Sequence, residues 1–306
     1  MKIITNADDF GIDIDRDFGI LYGVLRGCIS SVSVIVTGKI GIIRKSMIKL
    51  MRKKASVGIH INLTDDPLLN YEMKDLCIVD YNYNKAKHSF WKNAIFDTVD
   101  IEKIQKEIQS QIDKFKLSFD FFPEHIDGHN HCNIFNRKIS KIFEEIALKN
   151  KIHLRIPYED LELFDKTIIG SNTYFEEYNK YDKINEELIK RRFDYFTKYD
   201  MYLNNYMCKK NCRKDTIIFI GTMYGYFRET EILYNQLTKF KRDDIIQVMT
   251  HPGFYWKFIK HKTKFSNYDR LKELKALKKL RKKIKKIKKE TIEYVTYKEG
   301  GDYIGK

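Results

Sequence analysis

Short apolar runs alternate with longer segments of helical period along this chain. Seven runs rich in β-branched residues read as strands: KIITNA (2–7), ISSVSVIV (29–36), SVGIHINL (56–63), DFFPEHI (120–126), IHLRIP (152–157), TIIFIG (216–221) and IIQVMT (245–250). Between them, apolar residues recur at three- and four-residue spacings, which predicts helices near 16–26, 39–54, 100–117, 136–149, 183–199 and 229–240. A last helix is predicted at 267–289, where Leu271, Leu274, Leu277, Leu280, Ile284 and Ile287 make one apolar stripe. Strand and helix alternate strictly, so the strands should be parallel and joined by right-handed crossovers, in a barrel or a doubly wound sheet. No Pro/Gly/Ser linker and no repeat interrupts the pattern, so residues 1–306 are expected to form a single domain. Two stretches, 65–98 and 158–214, exceed what a minimal barrel needs. The second is rich in tyrosine (Tyr158, Tyr174, Tyr178, Tyr181, Tyr195, Tyr199, Tyr202, Tyr206), which suits sugar rings and helix packing alike.

The polar residues choose between the two architectures. NADDFG ends the first strand, GIHINLT carries a histidine in the third, and HIDGHNH, RIPYE and MTHPG end the fourth, fifth and seventh. An open sheet would spread these groups along one edge. A closed one brings them together at the C-terminal mouth, where barrel enzymes keep their chemistry.

Composition narrows the classes further. Hydrophobic residues make up 43% of the 306, as in a globular protein. No apolar run reaches the roughly 18–20 residues that cross a bilayer. The opening MKIITNADDF lacks the apolar core of a signal peptide. The five cysteines (Cys28, Cys77, Cys132, Cys208, Cys212) are odd in number and lack zinc-finger spacing, so reduced thiols in a cytoplasmic protein are expected. The net charge of +15 is concentrated: residues 270–289 hold 12 Lys/Arg and one Glu. That stretch reads as an amphipathic helix packed on the body with solvated lysines, which argues against a nucleic-acid partner. A homodimer is compatible with the sequence but not required by it.

Three of the eight histidines fall in HIDGHNH: His125, His129 and His131, with Asp127 between the first two. On an extended strand all four would share one face, and four polar groups on one face point to a metal. Asp9, His60 and one of these histidines would make a set of two imidazoles and a carboxylate, leaving positions open for water and substrate. Asp8 and Asp9 are neighbours on a strand, so they should point to opposite faces and divide their roles. Arg155 could pair with Asp8 and keep it ionised.

Taken in order, NADDFG, GIHINLT, HIDGHNH and MTHPG resemble the YdjC-type carbohydrate deacetylases (the ChbG/HpnK group). The resemblance spans about residues 2–255, and RLKEL (270–274) fits that family's C-terminal pattern. It implies an irregular (β/α)7 barrel similar to the NodB-type and glycoside hydrolase-deacetylase folds. It also implies metal-dependent removal of the acetyl group from an N-acetylated sugar. By position, Asp9, His60 and His129 would hold one divalent ion (Zn2+ or Mg2+), with Asp8 as general base and His251 as the matching acid. Asp127, His131, Arg155 and His125 would support the ligands or meet the substrate. The chain departs from the pattern at Asn133, where many relatives have His, and at Asp17, where many have Asn. Two other readings stand beside this one: a metal-dependent phosphoesterase, and an RNA- or membrane-binding protein built on the basic helix.

Overall fold

The computed structural model describes residues 1–65, 68–69, 90, 93–94, 97–134, 136–157, 217–221, 230–258, 268–286 and 292–300. The tyrosine-rich stretch, the helix expected at 183–199 and the end of the basic helix lie outside them. The described strands are β1 (Lys2–Phe10), β2 (Ser31–Val34), β3 (Ser56–Ile61), β4 (His125–Gly128), β5 (His153–Leu154), β6 (Ile217–Ile220), β7 (Ile245–Thr250) and β8 (Glu293–Tyr294). The described helices are α1 (Ile14–Leu25), α2 (Ile42–Met51), α3 (Ile101–Phe119), α4 (Arg137–Asn150), α5 (Thr230–Leu237), α6 (Tyr268–Lys286) and α7 (Tyr297–Gly300).

All strand pairs are parallel, in the order β5-β4-β3-β2-β1-β7-β6, with β8 added beside the start of β1. β5 and β1 are four steps apart in this order. At about 4.8 Å per step, a flat sheet would separate them by about 19 Å. Yet the Arg155 guanidinium, just past β5, lies 2.7 Å from the Asp8 carboxylate of β1. The sheet therefore curls into an irregular, barrel-like wall, and its strand ends face one another across a small mouth.

Helices cover the outside with the stripes that periodicity predicts. α3 buries Ile104, Ile108, Ile112 and Phe115, and α4 buries Ile139, Ile142, Phe143 and Ala147. Asp100 caps α3 by accepting from the Lys103 N–H, and Asn136 caps α4 by accepting from the Lys138 and Ile139 N–H groups. α6 turns Leu274, Leu277, Leu280 and Ile284 inward. No described helix is long and apolar enough to cross a membrane.

Two sequence expectations fail here. The fourth strand starts at His125 rather than 120, because Phe121 leaves the ladder to pack edge-on against Phe115. Pro123, which has no N–H to donate, also ends any pairing upstream. There is also an eighth strand, only two residues long, too short to carry a periodic signal. It leads into Tyr297, which stacks on His125 at 4.3 Å and forms a small apolar cluster with Ile4 and Val295.

Candidate metal centre and active site

The site begins with an irregularity in β1. Ala7 pairs with Val32, but Phe10 pairs with Val34, so an extra β1 residue is accommodated between them. The bulge coincides with a left-handed φ of 68° at Asp9, a conformation that costs a non-glycine residue about 1–3 kcal/mol. Its consequence is that Asp8 and Asp9 do not point to opposite faces, as regular pleating predicts. Both reach the same imidazole: His60 Nε2 is 3.8 Å from Asp8 Oδ2 and 3.5 Å from Asp9 Oδ1. Just downstream, Gly11 (φ 109°) lies so close to the Ile35 carbonyl that a Cβ would collide with it at 2.4 Å. The Asp17 carboxylate accepts from the Gly11 N–H at 2.7 Å and from Arg44 at 2.6 Å. That accounts for an acid at Asp17: it anchors the turn behind the site.

A second irregularity shapes HIDGHNH. The strand ends at Gly128, and His129–His131 form a 3-10 turn with left-handed φ at Asn130 and His131. The four polar residues therefore do not share a face. His125 lies deeper in the barrel. Its ring occupies space that Gly58 leaves open, its Nε2 is 2.9 Å from Ser33 Oγ, and burial pushes it down to about 3. Asp127 lies at the middle level and His129 at the mouth. His131 swings away to meet the Phe219 ring edge-on at 5.8 Å.

Asp9, His60 and His129 come together: one ligand atom from each lies within 4.8 Å of the others, and all three residues are buried. His60 faces the group with Nε2 and gives Nδ1 to Asp127 Oδ1 at 2.6 Å. His129 does the reverse, with Nδ1 3.0 Å from Asp9 Oδ1 and Nε2 2.7 Å from Asp65 Oδ2. Each imidazole thus has a carboxylate on its outward nitrogen, the arrangement that orients metal-binding histidines. Asp9 Oδ2 accepts from Arg16 at 2.6 Å, whereas Oδ1 is buried between the two rings and faces their nitrogens. A buried carboxylate oxygen facing two ring nitrogens in this way fits a cation.

Charge balance agrees. Asp8, Asp9, Asp65 and Asp127 face two guanidinium groups, those of Arg16 and Arg155. The shortfall is two positive charges. Without a metal, protons on the histidines meet it: burial opposes them, but Asp127 and Asp8 push His60 up to about 10, and Asp9 with Asp65 raises His129.

Arg155 makes a two-pronged contact with Asp8, both bonds 2.7 Å long, and also reaches Asp127 Oδ2 at 2.7 Å. Asn6 donates to Asp8 Oδ1 at 2.6 Å. Although burial opposes ionisation, Arg155 and His60 hold Asp8 below the usual carboxylate range. This is a buried ion pair that fixes the carboxylate.

His251 follows β7 directly. Its N–H donates to Glu273 at 2.8 Å and its carbonyl accepts from Arg270 at 3.1 Å. Burial, reinforced by the charges of Arg270 and Arg16, outweighs Asp9 and Asp8 and pulls its imidazole down to about 3. Arg270 and Glu273, both buried, are residues that sequence reasoning missed. Their signal was present: they occupy stripe positions of an otherwise apolar face. Asp65 was missed as well. Asn62 positions it by accepting from its N–H at 2.9 Å, and Gln111 of α3 in turn holds the Asn62 backbone. Nothing in TDD distinguishes it from any turn aspartate.

The family described as YdjC-like protein matches residues 2–285. The chain belongs to that family. Among YdjC-like relatives, a carbohydrate deacetylase of Clostridium beijerinckii is 28% identical over 276 residues, 89% of either chain. A chitooligosaccharide deacetylase of Klebsiella pneumoniae is 30% identical over 155 residues, covering 50% of this chain and 58% of its own. A crystal structure from Enterococcus faecalis, described as a cellobiose-phosphate cleavage protein, superimposes with a TM-score of 0.66 at 17% identity, covering 98% of each chain. It carries the fold alone.

Proposed function

We propose that this protein is a metal-dependent, cytoplasmic carbohydrate deacetylase that hydrolyses the N-acetyl group of an amino sugar or oligosaccharide and releases acetate. The observation that carries this reading is the buried meeting of Asp9 Oδ1, His60 Nε2 and His129 Nδ1. The names of the YdjC-like relatives support the substrate class. Two imidazoles and one carboxylate suit zinc or a similar transition ion better than magnesium. When bound there, a divalent cation would lower the pKa of water toward about 7 and polarise the acyl carbonyl.

The chain's own groups carry the protons. Asp8, ionised and fixed by Arg155 and Asn6, accepts the proton of the attacking water. Arg155 restrains the carboxylate in one orientation while Asp127 does the same for His60. The amine leaves only if its nitrogen gains a proton, and His251 is the group at the mouth suited to supply it. His251 is neutral at rest; as negative charge develops on the tetrahedral intermediate its proton affinity rises, so it takes up the proton that Asp8 removed from water and passes it to the departing nitrogen, returning to the neutral form. Assistance of this kind is worth about 10²–10⁴-fold.

A binuclear phosphoesterase would need carboxylates free to bridge two ions. Here Asp8 and Asp127 are both committed to Arg155, and Asp65 to His129. The test is acetate release from a panel of N-acetylated mono- and oligosaccharides with and without chelator, together with metal analysis. Acetate release that chelator abolishes, with one ion per chain, is expected. Acetate-free turnover of a phosphoester with two ions would overturn the reading.

A further inference from the structure

The segment that follows His251 carries a row of aromatic rings packed along α1. Phe254 lies 5.6 Å from Tyr22 and 6.3 Å from Trp256, and Trp256 lies 5.7 Å from Phe18 and 6.2 Å from Phe258. Trp256 and Phe258 are nearly parallel, only 7° apart. Phe258 is 86% exposed, which for a phenylalanine leaves a large apolar face in water. We propose that Trp256 and Phe258 form a stacking platform for a second sugar ring, so that the substrate is an N-acetylated oligosaccharide held beyond the ring being deacetylated.

The inference rests on the function proposed above, and three features lead to it. The first is position. Trp256 is five residues from His251, which an extended chain spans in at most about 18 Å. The segment also packs on the first turns of α1, beside the residue that holds Asp9: a Cβ on Gly253 would lie 3.1 Å from the Arg16 Cα. The second is rigidity. The Phe254 N–H donates to the Asp15 carbonyl at 3.2 Å, the Trp256 N–H to Asp15 Oδ2 at 3.4 Å, and the Gly253 N–H to the Arg270 carbonyl at 3.1 Å. Backbone meets backbone so closely that a Cβ on Gly19 would strike the Phe254 nitrogen at 2.3 Å. Trp256, held in this way, loses little freedom on binding. The third is chemistry. The face of a pyranose presents C–H groups, whose slight positive charge suits the negative face of an aromatic ring. An acyl group or a metal centre has no use for such a surface.

The experiment compares kcat/KM for an N-acetylated amino-sugar monosaccharide and for its β-linked oligomers of two to four rings. Phe258→Ala should lower the ratio of oligomer to monosaccharide kcat/KM by about 2–10-fold, the range of one aromatic contact, with the loss carried by KM. A direct readout uses the fact that Trp91 and Trp256 are the chain's two tryptophans. In a Trp91→Phe, Asp8→Asn protein, the fluorescence of Trp256 should change on titration with an oligomer and not with the monosaccharide. An unaltered ratio together with unresponsive fluorescence would overturn the platform. So would a shift of Phe258→Ala from dimer to monomer in sedimentation with the ratio unaltered, since the face would then be an interface between copies. Absence of acetate release from every sugar would sink the deacetylase reading instead, and the fluorescence titration would still report on the platform.

Discussion

The outward face of α6 and the mouth of the barrel are both dense in charge, and they treat it in opposite ways. On α6, Lys272, Lys275, Lys279, Lys282, Lys285 and Lys286 are exposed. At the mouth, Asp8, Asp9, Asp127, Arg16 and Arg155 are each at most 6% exposed. The first face dominates the net charge of the protein, yet a solvated lysine costs the fold almost nothing and needs no explanation. The second adds little net charge. Taking each of its ions out of water costs several kcal/mol, and pairing often fails to recover that. A fold selected for stability alone would have filled the mouth with apolar side chains. Burial of charge, rather than abundance of charge, therefore locates the chemistry.

The sharpest way to break that comparison is Asp8→Asn. The amide keeps the size and can still contact Arg155, but it cannot take a proton. Turnover should fall by about 10²–10⁴-fold while metal content stays at the wild-type value. Because the lost interaction belongs to the transition state, KM should move much less than kcat. Full activity in this variant would remove Asp8 from the mechanism; loss of the ion would make it a ligand.

The metal group comes next. Asp9→Asn and His129→Ala should each lower bound metal severely, whereas His131→Ala should not, since His131 faces Phe219. Metal analysis on the three proteins decides it, and equal loss at His129 and His131 would contradict the assignment. This pair also marks where sequence legibility ends. The parallel sheet, the convergence of Asp9, His60 and His129, and the span of β7 were readable from apolar runs and from polar residues at strand ends. What periodicity could not give were departures from periodicity. The bulge at Asp9 turned two adjacent aspartates to one side, and the 3-10 turn after Gly128 parted His131 from His129. Both depend on left-handed φ values, at Asp9, Asn130 and His131, that residue type alone does not announce. The contacts of Asp65 and Glu273 are set by tertiary packing and so were hidden too.

Asp65→Asn tests a smaller effect on the same site. Asp65 sits on the outward nitrogen of His129 and fixes which nitrogen faces Asp9. Removing its charge should weaken metal affinity about 10–100-fold without altering the ligand count. Titration of the apo-protein with zinc measures this, and nitrogen NMR of the His129 ring reports its tautomer. An unchanged affinity with an unchanged tautomer would reduce Asp65 to a turn residue.

The smallest effect is expected where charge is most abundant. Replacing Lys275, Lys279, Lys282 and Lys286 by Gln removes four positive charges from the exposed face of α6 and none of its buried contacts. Surface substitutions of this kind usually change stability within about 0.5 kcal/mol each, and Gln has nearly the helix propensity of Lys. Turnover of a neutral sugar should stay close to wild type, and the melting temperature should barely move. The opposite face of the same helix behaves differently. Glu273, 1% exposed, pairs with Arg270 at 3.3 Å and receives the His251 N–H. Glu273→Ala would take the carboxylate from a buried guanidinium, a loss of at most about 3–5 kcal/mol, and release the backbone of His251. Turnover and melting temperature measured on both proteins decide between the faces. If the quadruple lysine variant lost more activity than Glu273→Ala while remaining folded, the exposed charge would belong to the site, and burial would no longer be a reliable guide to it.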